Sequence, residues 1–132
     1  MPEPLDAAKT WFEYAENDLQ SAAMLVKEDA LARNAGYHAQ QAAEKALKAV
    51  LAGHDVKVPR THDLDVLGDM VERWVPEISG HGKDLEWLTI FATESRYPFQ
   101  SGLAITRDHA ERALRIARQI KSICQTHLSA VH

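Results

Sequence analysis

The run Tyr37–His38–Ala39–Gln40–Gln41–Ala42–Ala43–Glu44–Lys45–Ala46–Leu47–Lys48–Ala49–Val50–Leu51 holds neither proline nor glycine and is rich in strong helix formers. At about 100° per residue, Ala39, Ala42, Ala43, Ala46, Leu47 and Val50 share one side of the helix. His38, Gln41, Glu44, Lys45 and Lys48 fall on the other. A long helix with an alanine-rich face must bury that face against another element, and small side chains let the neighbour come close. A chain built around such a segment is confined to helix-on-helix architectures.

The remaining segments read the same way. A first helix from about Asp6 to Glu28 carries Trp11, Ala15, Leu19, Ala22, Leu25 and Val26 at helical spacing. The second runs from about Asn34 to Ala52, with Gly53 as its expected left-handed stop. Thr61 or Asp63 caps a third, about Leu64 to Val75. Pro76, Gly80 and Gly82 separate it from a fourth, about Lys83 to Ser95. Pro98 and Gly102 break the chain again, and Thr106 caps a last helix to about Leu128. Ala110, Ala113, Leu114, Ala117, Ile120, Cys124 and Leu128 form its inner stripe. Ile116 and Ile123 form a second apolar line, suited either to a partner subunit or to a second neighbour within the bundle. No stretch alternates as a strand would. The pattern predicts an all-α, up-and-down antiparallel four-helix bundle with one additional short helix, five helices in all, as one domain over 1–132.

Composition sets bounds on function. The 132 residues carry a formal net charge of −4, which works against general phosphate-driven binding to nucleic acid. There is no apolar run long enough for a membrane span. Met1–Pro2–Glu3–Pro4 lacks the basic and apolar regions of a signal peptide. The single cysteine, Cys124, excludes an internal disulfide and suits a cytoplasmic protein. It lies on an apolar stripe, as a core residue would. The seven histidines show no i, i+4 metal-ligand pairing, and there is no P-loop, GxGxxG, HExxH or paired CxxC motif. No metal or cofactor is expected.

Three places break the amphipathic pattern. Asp18 sits among Trp11, Ala15, Ala22 and Leu25, where a carboxylate needs a partner; Lys45 and Arg96 are the candidate cations for a partly buried polar cluster. Thr61–His62–Asp63–Leu64 begins a helix after Lys57 and Arg60. Its amides could hold a phosphate with help from Arg60 and His62, or the segment could be a cap alone. Arg96–Tyr97–Pro98 pairs a guanidinium with a ring able to stack on a base, or simply fixes a loop. The last helix also carries Arg107, Arg112, Arg115, Arg118 and Lys121 spread around its circumference, as a solvated face would.

Tyr37–Val50, Thr61–Leu64, and Arg96–Tyr97–Pro98 with the capped helix Thr106–Leu114 together resemble the HEPN family of small helical domains. The opening Trp11…Ala15…Asp18–Leu19…Ala22 resembles the family's first helix. The resemblance is to the stand-alone prokaryotic type, often paired with a minimal nucleotidyltransferase. It implies a helical bundle, usually a homodimer, with roles in nucleotide or RNA interaction and toxin–antitoxin systems. Many members are metal-independent ribonucleases whose signature is Arg, four to six residues, then His; the histidine does acid–base chemistry and the arginine stabilises phosphate charge. No histidine follows Arg96 at that spacing, where Ser101 and Gly102 stand instead. Arg33–Asn34–Ala35–Gly36–Tyr37–His38 fits the spacing, but at the start of the second helix. The expectation is a non-catalytic domain that dimerises and binds a nucleotide or RNA beside a nucleotidyltransferase partner, through Lys45, Arg60, His62, Arg96 and Tyr97. The alternatives are a ribonuclease using Arg33 and His38, and a purely structural interaction module.

Overall fold

A computed structural model describes residues 3–94 and 104–131. Its helices are α1 (Pro4–Leu25), α2 (Ala32–Gly53), α3 (Leu64–Val71), α4 (Gly82–Thr89), α5 (Phe91–Glu94) and α6 (Arg107–Val131). Short 3₁₀ segments lie at Asp29–Leu31 and Pro76–His81, and no strand occurs among the described residues. The all-α bundle is what the sequence predicts. The predicted fourth helix is α4 and α5, interrupted at Ile90.

Three long helices form the frame. Ala8, Phe12, Ala15, Leu19, Ala22 and Val26 alternate three- and four-residue steps along α1, and all are buried. That is the seam of a coiled-coil-like contact, small and large side chains taking turns. It meets the alanine face of α2, where Ala35, Ala39, Ala42, Ala43, Ala46 and Ala49 have no exposed surface. On the other flank of α2 lies α6, through Ala110, Ala113, Ala117, Ile120 and Cys124, all equally inaccessible. Ile116 is buried and Ile123 packs partly against the core, so the second apolar line of α6 is used within the chain.

The direction of α6 differs from a simple up-and-down order. His54 Nε2 at the end of α2 lies 2.8 Å from His127 Nε2 near the end of α6, and a Cβ on Gly53 would lie 2.8 Å from Leu128 Cδ2. Asp29, just before α2, lines one hollow with Thr106 and Arg107 at the start of α6. Thus α1 runs against both α2 and α6, while α2 and α6 run the same way. The reason is the connection: α3, α4 and α5 return the chain to the end at which α2 began.

Helix ends also differ from expectation in informative ways. Gly53 is helical, and the left-handed residue is Asp55, with φ of 58°. Glycine is needed at 53 for the approach of Leu128, and aspartate tolerates the left-handed region. Helix α3 ends at Val71, and Val75, just before Pro76, has left the helical region at φ −126°, ψ 77°. Thr106 does cap α6: its Oγ1 accepts from the His109 amide at 3.3 Å, and His109 Nδ1 accepts from the Thr106 amide at 3.1 Å. This is a capping box with histidine in the place of glutamate.

Two consequences are testable. A Cβ on Gly36 would run into the ring of Phe91. Gly36→Ala is therefore expected to lose about 1–3 kcal/mol by overpacking, despite alanine's better helix propensity, measured by urea unfolding. Full burial pushes the Cys124 thiol up to about 12. Ellman's reagent at pH 8 is expected to react with it at the rate of global unfolding rather than at that of a free thiol.

Candidate functional site

The polar residues of α2 do not form a solvated face. Asp18 on α1 is buried, and its carboxylate meets two groups from α2: Lys45 Nζ at 2.5 Å from Oδ2, and His38 Nδ1 at 2.9 Å from Oδ1. On a neighbouring line of α2, Gln40, Glu44 and Lys48 form a second set. Glu44 accepts from Lys48 Nζ at Oε2, 2.9 Å, and meets His62 Nδ1 at Oε1, 2.9 Å. Gln40, with no exposed surface, donates to the His62 carbonyl at 2.9 Å and accepts from Gln41 at 2.8 Å. Lys48 lies over the Trp11 ring, 5.7 Å from its centroid. Each carboxylate thus holds one lysine and one histidine.

With neutral imidazoles the two ammonium groups balance the two carboxylates. That balance allows Glu44 and Lys48, whose side chains are 4 % and 8 % exposed, to sit inside the bundle. In each histidine Nδ1 faces a carboxylate, so a neutral ring donates Nδ1–H and leaves the Nε2 lone pair for another group. His38 is one-third exposed and the His62 side chain is 66 % exposed. Both rings can therefore reach a ligand from positions fixed at their inner edge. Tyr37 meets His38 edge to face, with centroids 5.4 Å apart.

The structure brings together some of the sequence candidates and separates others. Asp18 and Lys45 pair as expected, and His38 joins them. Arg96 and Tyr97 lie outside the described residues. His62 turns its Nδ1 to Glu44. At the start of α3 the Leu64 amide donates to Thr89 Oγ1 at 3.1 Å, and the Asp65 amide to the capping Asp63 carboxylate at 3.0 Å. Burial, with Asp63, Glu86 and Asp69 nearby, raises the Asp65 carboxyl above its ordinary range. Asp63 thus caps α3. Arg60 is exposed on the loop before it. Arg33 and His38, five residues apart on α2, point about 140° apart around its axis.

Sequence reasoning missed the buried Gln40–Glu44–Lys48 line. Its signal was present, since these positions recur every four residues beside the alanine stripe. It also missed the pairing of His38 with Asp18, which only the α1–α2 register reveals.

A closely packed helical frame with a neutral polar seam between α1 and α2 defines a class of small α-helical domains. The chain belongs to the HEPN domain family, whose model matches residues 8–127. A solved structure, the crystal structure of TT1696 from Thermus thermophilus, is similar at 26% identity with a TM-score of 0.79, covering 91% of this chain and 97% of that one. No curated protein matches. No helix among the described residues is long and apolar enough to cross a membrane.

The two carboxylates should differ in energetic weight. Glu44→Gln leaves the buried Lys48 ammonium without its counter-charge and is expected to cost about 3–5 kcal/mol. Asp18→Asn, whose partners are partly exposed, is expected to cost only about 1–3 kcal/mol after allowance for solvent screening. Urea denaturation of both variants at neutral pH checks the order.

Proposed function

We propose that this is a non-catalytic HEPN-type domain that dimerises and binds a nucleotide or RNA, working beside a minimal nucleotidyltransferase in a toxin–antitoxin-like pair. The observation that carries the binding role is the Asp18–His38–Lys45 cluster. A carboxylate that already holds a lysine and a histidine fixes both before a ligand arrives, reducing the side-chain ordering that binding would otherwise require. The remaining N–H groups of Lys45 are suited to phosphate oxygens, and the outer nitrogen of a neutral His38 accepts from a ligand hydroxyl or N–H group. His62 meets the same helix through Glu44; Arg60, Arg96 and Tyr97 are proposed from the sequence alone. Family membership supports this reading.

The decisive test is calorimetric titration with ATP, GTP and a short RNA. Binding is expected, and Lys45→Ala is expected to weaken it by about ten- to a hundred-fold, the size of one lost charge-assisted contact. Silence with all three ligands, together with failure to capture the neighbouring gene's product, removes the proposal.

One observation favours a second reading, a metal-independent ribonuclease. Asp18 fixes the His38 tautomer so that Nε2 is left as a base. Metal-free cleavage of single-stranded RNA that disappears in His38→Ala would establish it; equal cleavage by both proteins would exclude His38.

A further inference from the structure

Helices α2 and α6 end side by side, and two side chains at those ends meet nitrogen to nitrogen. His54 Nε2 lies 2.8 Å from His127 Nε2, and both residues are half-buried. The ring centroids are 5.1 Å apart, a separation that imidazoles in such contact reach only when each nitrogen points straight at the other. A metal ion held in line between two nitrogens would set them about 4 Å apart, so the bridge here is a hydrogen. One ring therefore donates Nε2–H, and the other accepts on its Nε2 lone pair and carries its own hydrogen on Nδ1. His54 is also stacked on Trp74, with 4.4 Å between centroids and 8° between planes. The pair lies about 24 Å along α2 from His38, well away from the Asp18 cluster.

Such a contact has a fixed proton capacity. A first added proton goes to Nδ1 of the donating ring, and the bridge becomes a charge-assisted N–H···N bond. The place favours that single charge, because it lies at the carboxyl ends of two parallel helices and against the face of an indole. A second proton has only the accepting Nε2 to go to. That sets two N–H groups and two positive charges against one another across 2.8 Å, and the rings must part. The charged groups on the elements that meet here are Asp6 and Lys9 on α1, Asp55 and Lys57 after α2, and Glu72 and Arg73 after α3. Over residues 125–131 of α6 there is no titratable side chain besides His127. Arg73 lies over the Trp74 ring, 4.7 Å from its centroid. These three acids and three bases are exposed and balanced, so the pair's own contact decides how many protons it holds.

We propose that His54 and His127 are a proton-operated latch on α6: they hold its end to α2 while the pair carries at most one added proton, and release it when the second is taken up. The packing defines what is released. Of residues 125–131 only Leu128 is buried, pressing on Gly53, so the latch and Leu128 retain the last two turns of α6. Leu128 also floors, with Ala8 and Phe12, a hollow of about 360 Å³ in the open trench between α1 and α6. Release widens that trench at its end. At these two histidines the unfolded chain takes up two protons near pH 6.5 and the latched chain one. The stability that the latch contributes is therefore greatest near neutrality and is lost as the pH falls below about 6.

Histidine ring signals followed by NMR test the latch in the full chain. In wild type the pair is expected to take up its protons in two steps at least about two pH units apart. In His127→Gln the side-chain amide donates to a neutral His54 or, turned over, accepts from a charged one, so His54 is expected to titrate in one step. Below about pH 6.5 the wild-type folding constant is expected to fall by up to about tenfold per pH unit more than that of His127→Gln, the five other histidines being common to both. Amide protection over residues 125–131, corrected for the intrinsic exchange rate, is expected to drop at least about tenfold relative to α1 as wild type passes the second step, and to stay level in the variant. One ordinary step shared by both rings overturns the proposal. So does equal pH dependence of the two proteins, or protection that persists in wild type once the second proton is bound. Should His127→Gln fail to fold, ring titration and protection of the wild type decide alone.

Discussion

The close contact of α1 with α2 has to accommodate charge. Glu44 and Lys48 lie in a bundle whose other buried positions are almost wholly apolar, and neither could stay ionised there alone. Their mutual pairing, with His62 and Gln40 completing the carboxylate's contacts, makes the arrangement tolerable and fixes what surrounds it. His62 brings the start of α3 down onto α2. Lys48 fixes the position of the Trp11 ring and, with it, part of the face of α1. An apolar substitute for the pair could pack the same volume, but it would not specify this relation among three elements.

Close packing gives the seam its geometry. Alanine on both α1 and α2 brings the two backbones near enough for one aspartate to reach both a lysine and a histidine across the interface. Bulkier residues at Ala15, Ala22, Ala39 or Ala46 would move the helices apart and part those charges. The same economy of size operates at Gly36 and Gly53, where Phe91 and Leu128 press on the backbone of α2. The position of the polar groups is therefore a product of the apolar ones.

The clamp at the far end of the bundle has a different character. His54 stacks on Trp74 with ring centroids 4.4 Å apart, and also meets His127. It ties the end of α2 to α6 and to the turn after α3. Together with the capping box at Thr106 and His109, it holds α6 in its parallel course beside α2. The wall that α6 presents to α1 follows from that course, and so does the trench between them.

Much of this was legible in the sequence because helical periodicity is local. The heptad-like stripe of α1, the alanine stripe of α2, the caps at Asp63 and Thr106, and the demand of Asp18 for a cation such as Lys45 follow from residues within a few turns of one another. Other features depend on register between distant segments. Nothing local says that His38 meets Asp18, that Glu44 and Lys48 turn inward, that the start of α3 is closed by Thr89, or that α6 runs with α2. Charge and spacing name the groups available for a site. Which of them share a low-dielectric interior, and which face water, is decided only when the helices have packed, because burial and partner distance are properties of the assembled bundle.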